Sequence, residues 1–509
     1  MAAEHPEIER KFEVAMKTAI PSMLGLPKVS RVEQVLSSTL EAVYCDTDDL
    51  ALAAAGITLR RRTGGTDAGW HLKLPRGGDD RAELARPLGD DDAGVPAELL
   101  TRVRAWIRDG EPRPVATLST HRVVHRLISE RGRVLAEVSD DVVTSTSTPI
   151  AGQALVNTWR EWEIELVDGS RKLLTAAAEL FTASGATLSI WPSKVHHALD
   201  RNRDPLPPAV ADLTEKSPAG AVVHAYLAEQ VTEILGRDSG VRHSTADAVH
   251  RMRVATRRLR SALATFRPLL EREITDPIRG ELKWLGATLG GARDVEVQRS
   301  HLLEAVAAEP DDLVLGPVAA GLEVELRSDY RTAHDTLVAA MESSRYFQLL
   351  ERLEHLVAAP PFTELASGKA RPVLRQRVSH SCKALYGLAS SGEPGVRESR
   401  DVWLHEVRKA AKRVRYAAEV AAPALGRPAA ALVAAATALQ EILGDHQDSV
   451  LIRETLRGIG VRMFLDGENS FTIGRLHALQ QTRGVAADGA FLQLWSGGVA
   501  EQVRGWLRY

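Results

Sequence analysis

Eleven residues beginning at His250, HRMRVATRRLR, are matched in kind by HEVRKAAKRVR beginning at His405, 155 positions later. A second pair follows, LGGARDVEV at 289–297 and LGDHQDSVL at 443–451, 154 positions apart. A period that long exceeds any short solenoid repeat and marks a duplicated unit of several helices. Helical periodicity runs from Ala221 to the C-terminus, with breaks at Ala359–Pro361 and Ser390–Gly395. Two antiparallel helical bundles related by pseudo-symmetry are the expected fold of this half.

On a helical wheel, His250, Arg253, Arg257 and Arg260 form one stripe, with Met252, Ala255, Leu259, Leu263 and Phe266 opposite. The second copy places His405, Arg408, Lys412, Arg415, Tyr416 and Glu419 on one side and Val407, Ala410, Val414 and Ala418 on the other. A single helix of this kind is ordinarily a solvated amphipathic face. Such a face mixes signs for i, i+4 pairing, whereas these stripes are nearly all positive and repel themselves unless an anion neutralises them. Two such helices facing each other make a groove with cations on both walls. Arginine offers phosphate oxygens a planar fork, and Lys and His add point charges. Proteins that grip nucleic acid interleave aromatics to stack on bases. Tyr416 is the sole aromatic on either stripe, so the expected ligand is a chain of phosphates without bases.

The first 200 residues follow another period. Glu7–Val14, Ile57–Arg62, Trp70–Leu74, Arg122–Leu127, Val134–Asp140 and Trp159–Val167 alternate as strands. Helical stretches fall at Thr47–Ala55, Pro96–Arg108 and Arg171–Ser184. Many strands with few helices argue for an antiparallel sheet curled into a barrel, whose inward faces share one lumen. Glu7, Glu9 and Lys11 share one strand face; Glu161, Glu163 and Glu165 share another; Glu137 and Asp141 share a third. Arg60, Arg62, Lys73, Arg122 and Lys194 supply cations. Outward cross-strand ion pairs alternate in the same way, and Arg131 and Arg133 beside a turn fit that description. With several strands sharing the alternation, a mixed-charge lumen is favoured. Carboxylates suit Mg²⁺ or Mn²⁺, and Arg and Lys suit phosphoryl oxygens. That mixture is what metal-dependent phosphate cleavage needs.

The 509 residues exceed one ordinary core. The Pro-rich stretch after Arg201 divides the chain into 1–200, a linker at 201–218, and 219–509. A net charge of −3 argues against generic nucleic-acid binding, so a polyanion site must come from local clustering. Cys45 and Cys382 alone cannot build a disulfide framework or a CxxC metal site, and they fit a reducing compartment. MAAEHPEIERKFEV is charged and strand-like rather than a leader. Val420–Leu439 carries Arg427 and two prolines and reads as a loop and a buried helix rather than a membrane span. A cytoplasmic protein, with a possible place on polyphosphate granules, is the expectation.

The paired segments VHRMRVATRRLRSAL and LHEVRKAAKRVRYAAEV, with the two LG-initiated segments, resemble the CHAD domain over about 219–505. The resemblance implies two four-helix bundles and a central basic channel for inorganic polyphosphate. It assigns binding to His250, Arg253, Arg257, Arg260, His405, Arg408, Lys412 and Arg415. HPEIERKF, followed by YCDTDDLAL, GITLRRR, WHLKLP, AEVSDD, EWEIEL and PSKVHHAL, resembles the CYTH family of triphosphate tunnel enzymes over about 5–200. That resemblance implies an eight-stranded tunnel open at both ends, one or two divalent ions, and triphosphate substrates. By position it assigns metal binding to Glu7, Glu9, Glu163 and Glu165, with Asp141 contributing. It assigns phosphate binding to Lys11, Arg60, Arg62, Lys73, Arg122 and Lys194, with Glu7, Glu9, Lys11 and Lys73 central to catalysis. Glu161 lengthens the usual acid pair, so which two of Glu161, Glu163 and Glu165 ligate stays open. Val195 stands where an aromatic is usual.

The expected fold class is therefore an α+β eight-stranded antiparallel tunnel barrel followed by an all-α domain of two pseudo-symmetric four-helix bundles. The expected function is Mg²⁺- or Mn²⁺-dependent hydrolysis of inorganic triphosphate or short polyphosphate, with polyphosphate held by the helices. The alternatives are a non-catalytic polyphosphate-binding or granule-associated protein, a thiamine-triphosphatase, or an adenylate cyclase. Neither nucleic acid nor membrane is an expected partner.

Overall fold

The computed structural model describes residues 5–65, 67–77, 80–89, 94–147, 154–200, 213–391 and 397–507. The chain divides into two compact units, Met1–Pro207 and Pro208–Tyr509. Of the expected linker, 201–212 lies outside the described residues.

In the first unit eight strands run antiparallel: β1 (His5–Val14), β2 (Arg31–Asp46), β3 (Thr58–Thr63), β4 (Gly69–Gly77), β5 (Asp80–Arg86), β6 (Arg113–Ile128), β7 (Val134–Ser147) and β8 (Leu155–Leu166). Their order is β5-β4-β3-β2-β6-β7-β8-β1, and β1 pairs back onto β5, with Glu7 opposite Arg81, to close the barrel. A short β9 (Thr187–Leu188) adds to β1. Strands β2 and β5 were not among those read from the alternation. A register shift between Gln34 and Leu36 and the polar run Ser37–Ser38–Thr39 break the period of β2. Only Ala82 and Leu84 mark the apolar face of β5.

Alternation sends charged residues inward and apolar ones outward. Helices α1 (Ala51–Ala54), α2 (Ala97–Arg102) and α3 (Arg104–Ile107) help bury Leu59, Trp70, Leu72 and Leu84 on one outer side. On another, α4 (Arg171–Ala183) covers Phe12, Trp162 and Ile164. Phe181 of α4 meets Phe12 and Trp162 edge-on at 5.3 Å each. Trp162 is fully buried, and truncating such a residue to Ala costs about 3–5 kcal/mol. The barrel interior at one end is packed by α5 (Lys194–Ala198): Val195 and Ala198 join Ala42, Tyr44, Leu118, Val143 and Trp159. The implied tunnel open at both ends therefore meets an apolar cluster where α5 enters, and Val195 supplies part of it.

The second unit is helical. One bundle comprises α6 (Ala219–Arg242), α7 (Ala248–Thr265), α8 (Arg272–Ala307) and α9 (Val318–Met341), with α10 (Ser344–Ala358) packed against it. The other comprises α11 (Ala370–Ala389), α12 (Arg397–Leu425), α13 (Arg427–Leu465) and α14 (Phe471–Leu494), with α15 (Ala500–Arg504). The bundles meet through α6 and α7 against α11 and α12. Pseudo-symmetry is visible at the starts of α6 and α11. Pro218 and Lys369 form an antiparallel bridge, flanked by reciprocal bonds from Ala219 N to Gly368 O and from Ala370 N to Ser217 O, both 2.8 Å. Each bond satisfies an N–H that a helix start would otherwise leave free. The apolar faces expected for the duplicated helices, from Met252 to Phe266 and from Val407 to Ala418, are buried. Val420–Leu439 is the end of α12, a turn at Gly426 with φ 62°, and the start of α13, so helix replaces most of the expected loop. Among the described residues no helix is long and apolar enough to cross a membrane. Both cysteines are free and buried.

Candidate functional site

The barrel encloses a cavity of about 220 Å³ walled by charges of both signs. Strand β1 brings Glu7, Glu9 and Lys11, and β8 brings Glu163 and Glu165. Cations come from β3 (Arg60, Arg62), β4 (Lys73), β6 (Arg122) and α5 (Lys194). These groups neutralise one another closely. Lys11 Nζ lies 2.6 Å from Glu9 and 2.8 Å from Glu163, and Lys73 Nζ lies 2.5 Å from Glu7. Arg122 grips Asp141 with both arms at 2.8 and 2.6 Å and reaches Glu163 at 2.8 Å. Lys194 Nζ sits 3.0 Å from Asp141, 2.6 Å from Glu161 and 2.7 Å from Glu163.

The position of Lys194 is fixed from outside the lumen. The Asp46 carboxylate accepts from the N–H groups of Thr47, Leu52 and Ala53 at 2.8–2.9 Å and so folds the turn into α1. The carbonyl of Ala53 then accepts from Nε2 of buried His196 at 2.8 Å. That bond leaves His196 Nδ1 to accept the Ser193 hydroxyl at 2.6 Å, which anchors the start of α5.

The balance of charge is uneven. Burial raises the Glu163 carboxyl, but Lys11, Lys194 and Arg122 overcome this and hold it well below the ordinary carboxylate range. Burial lowers Lys194, yet Glu161, Glu163 and Asp141 together drive it well above the usual ammonium range. Glu165, on the solvent-facing side of the lumen, behaves oppositely. Loss of water, followed by repulsion from Glu7, pushes its carboxyl up to about 7 against partial relief from Lys73. Glu7 Oε2 is buried with no hydrogen-bond partner. At the other pole, burial and the nearby Arg60 and Arg122 lower Arg62 to about 9. Arg62 is nonetheless paired with Asp67, and the burial of Arg60 is outweighed by Tyr44 and Glu83, which raise it, so the place left short of a counter-charge is the one around Glu165.

Two carboxylate groups could hold a divalent ion. Asp141, Glu161 and Glu163 bring their oxygens within 4.8 Å of one another. Lys194 already supplies a cation there. In the other group Glu165 is pushed up to about 7 and Glu7 keeps an orphaned Oε2, while Glu9, held to about 2 against its burial by Lys11 and Lys73, stands opposite Glu165 in the β1–β8 register. The donor chemistry of this second group, with the raised Glu165 and the orphaned Glu7 Oε2, fits a hard cation better.

In the helical unit a cavity of about 630 Å³ lies between α7, α8 and α12. Arg257, Arg260, Arg279, Lys283, His405, Lys409, Lys412 and Arg413 line it, against one carboxylate, Asp276. Here cations are poorly compensated. Burial, then repulsion from Arg408, Arg257 and Arg253, lowers Lys412 to about 7. Burial and Arg257 also lower Arg260. Arg257 Nε donates to the Tyr416 hydroxyl at 2.7 Å, a contact that joins the two repeats. The duplicated LG segments explain the neighbouring arginines. Arg253 pairs with Asp294 at 3.1 Å and lies against Gly290; Arg408 is offset by Asp448 and lies against Gly444.

A CYTH domain model matches residues 5–197 and a CHAD domain model matches 225–457. Two Mycobacterium tuberculosis relatives, named Uncharacterized protein Rv2226 and Uncharacterized protein MT2285, are each 38% identical over 487 residues, covering 93% of this chain and 93% of theirs. This chain belongs to the family that joins a CYTH domain to a CHAD domain. It is also similar to PptA from Streptomyces chartreusis (23% identical, 55% of this chain and 100% of that one, TM-score 0.46). A similar match is the CHAD domain from the plant Ricinus communis (27% identical, 55% and 93% covered, TM-score 0.44). CYTH proteins are typically enzymes acting on phosphoanhydrides, and their domains are metal-dependent.

The CYTH barrel brings every metal and phosphate residue expected from the sequence into one lumen or its wall, Asp141 entering through Arg122 and Lys194. It adds Tyr44, Arg81 and Glu83, which sequence reasoning did not single out. Arg60 donates to the Tyr44 hydroxyl at 3.1 Å, and Glu83 is held to about 2, its burial outweighed by His71 and Lys73. Tyr44 belongs to the segment YCDTDDLAL, whereas Arg81 and Glu83 lie on β5, whose two apolar residues are too few to show a strand period. In the CHAD unit the eight expected cations do not all meet. Arg257, Arg260, His405 and Lys412 line the cavity. His250, Arg253, Arg408 and Arg415 do not, and Arg415 instead pairs with Glu419 at 2.7 Å. Arg279, Lys283 and Lys409 were missed because they lie outside the matching stripes.

Proposed function

We propose that this protein hydrolyses inorganic triphosphate or short polyphosphate in the CYTH lumen with Mg²⁺ or Mn²⁺, and holds polyphosphate on the CHAD helices. The mixed-charge lumen, with carboxylates and cations interleaved and Glu165 short of a counter-charge, is the observation that carries the reading. Glu7, Glu9 and Glu165 would hold the ion, with Glu163 beside them. A bound ion supplies charge neutralisation and a water polarised for attack on a terminal phosphoryl group. Lys11, Lys73, Arg122 and Lys194 now rest on carboxylates, and phosphoryl oxygens are chemically equivalent partners for which they can exchange. Arg60 and Arg62, which rest on Tyr44 and Asp67, would orient the far end of the substrate by the same exchange. The apolar cluster around Val195 excludes water behind Lys194.

The test is phosphate release from triphosphate by the full chain with each divalent ion, beside Glu7→Ala and Glu9→Ala. The expected result is metal-dependent release that collapses in both variants. Release unchanged by either substitution removes the lumen model. A binding-only barrel is the second reading, favoured by one observation: the Lys194 ammonium already sits within 3.0 Å of three carboxylates, in the manner of an ion. Triphosphate binding without release under any divalent ion would select it.

A further inference from the structure

We propose that a phosphate chain held by the CHAD unit leaves the α7–α8–α12 cleft over Arg413 and continues into a second basic cleft between the α7–α8 connection and α11, because the opposite exit is closed by Glu419. This inference rests on the reading that the CHAD unit holds polyphosphate, and it names the path and the class of chain: one long enough to span two clefts.

The second cleft has a volume of about 350 Å³, and Arg267, Arg272, Arg377, His380 and Arg413 line it. No carboxylate and no aromatic is among the described residues of its lining. Arg377 Nε is buried with no hydrogen-bond partner. Arg413 and Ala264 line both clefts, so the two are continuous. Phosphates running between them would pass from Arg413 to Arg272 and Arg377 over the small Ala264, while Arg267 is held by Asp276.

The duplication shows why the chain would take this side. At the spacing of the repeat, Ala264 of α7 corresponds to Glu419 of α12. Arg279 and Lys283 of α8 correspond to Val433 and Thr437 of α13. One side therefore gains two cations and leaves its floor open at Ala264. Its counterpart loses both, and its carboxylate stands at Glu419 on the groove floor, whereas that of the first side, Asp276, stands on α8 where it pairs with Arg279 at 2.8 Å. Glu419 accepts from Arg415 at 2.7 Å and from the Tyr226 hydroxyl at 3.1 Å, and pairs with Arg258 at 3.2 Å. An internal anion thus occupies the cations that a phosphate would otherwise use there. The only aromatic of the first cleft, Tyr416, is buried and engaged by Arg257, which leaves no platform for bases.

The experiment measures binding of tripolyphosphate and of long-chain polyphosphate to the full chain over a series of salt concentrations, with melting temperature as a folding control. Wild type is expected to bind the long chain more tightly. Arg272→Glu with Arg377→Glu is expected to weaken long-chain binding about tenfold or more and to flatten its salt slope by about 2, narrowing the preference for long over short chains. Arg415→Ala is expected to change long-chain affinity far less than Arg257→Ala. Unchanged long-chain affinity in the double variant overturns the path, as does an Arg415→Ala loss equal to that of Arg257→Ala. Single-stranded DNA competing as well per phosphate overturns the ligand class. If wild type ignores long-chain polyphosphate at low salt, the underlying binding reading fails as well, an outcome distinct from the others.

Discussion

The two charged cavities solve opposite problems. In the CYTH lumen cations and carboxylates lie on alternate positions of neighbouring strands, and nearly every charge has a partner within 3 Å or so, as at Lys11, Lys73 and Lys194. In the CHAD cleft one carboxylate faces a row of cations, and Lys412 is lowered to about 7 by burial and then by repulsion from Arg408, Arg257 and Arg253. A self-neutralised lumen admits a ligand only by exchange, so it selects one that brings both a cation and phosphoryl oxygens. An uncompensated cleft attracts any flexible polyanion, and more strongly as salt falls. The geometry explains the difference: a closed barrel forces charges of several strands together, whereas two helices can present one sign along a groove.

The largest effect should come from breaking the exchange. Glu9→Gln keeps size but removes the charge that holds Lys11 and, on the proposed reading, would hold the ion. Metal-dependent triphosphate release should fall by about 100-fold or more, measured as phosphate production at saturating metal. Polyphosphate binding by the CHAD helices should not follow it. The converse variant, Arg257→Glu with Lys412→Glu, should weaken long-chain polyphosphate binding by about 10–100-fold and flatten its salt dependence, read by titration at several salt concentrations. If either variant impaired both properties equally, the division of labour between the cavities would be wrong.

Acid and base should separate the cavities more finely. Burial and Glu7 push the Glu165 carboxyl up to about 7, so protons would compete with a metal held there below that point. Apparent metal affinity should fall as pH drops from 8 to 6, by about tenfold for one proton displaced per unit, and Glu165→Gln should remove that slope. Lys412 behaves in the reverse sense. A bound polyanion raises its pKa above 7, so binding takes up a proton and affinity declines as pH rises from 7 to 9. Lys412→Arg, charged throughout, should flatten this decline. Calorimetry in buffers of different ionisation enthalpy would register the proton uptake directly.

The sequence carried the chemistry of both cavities further than their shapes. Charge alternation at Glu7, Glu9, Lys11 and Glu161–Glu165 was legible because a barrel has only two faces and the apolar partners Phe12, Trp162 and Ile164 mark the outer one. Strand β5 was not, since two apolar residues are too few to show a period, and Arg81 and Glu83 were lost with it. The anchoring of Lys194 through His196, Ala53 and Asp46 joins residues more than 140 positions apart and leaves no local pattern. In the helical half the duplication revealed which helices face each other. It misled where the copies diverge: Arg415 repeats Arg260 in sequence, but Glu419 in place of Ala264 captures it.

The smallest expected effect concerns stability, and it tests whether each charge deficit is real in the folded protein. Folding raises the Glu165 pKa from 4.5 to about 7, so the folded state binds the proton more tightly than the unfolded chain. That stability is fully present below pH 4.5 and is lost as pH rises through 7, where the ionised carboxylate meets the repulsion of Glu7. Lys412 is lowered from 10.5 to about 7, so its penalty is complete below pH 7 and disappears above 10.5. At pH 8, Glu165→Gln should stabilise by about 1 kcal/mol or less, because solvent at the lumen mouth screens much of the repulsion. At pH 6.5, Lys412→Met should stabilise by about 1 kcal/mol, and by nothing at pH 10.5. Thermal melts across this pH range would read both. Stabilising substitutions with opposite pH profiles would show that each cavity holds its uncompensated charge at a cost to the fold, as a place for a ligand must. A Lys412→Met chain that melts lower at pH 6.5 would mean that the cleft is neutralised from within, and the comparison between the two cavities would lose its basis.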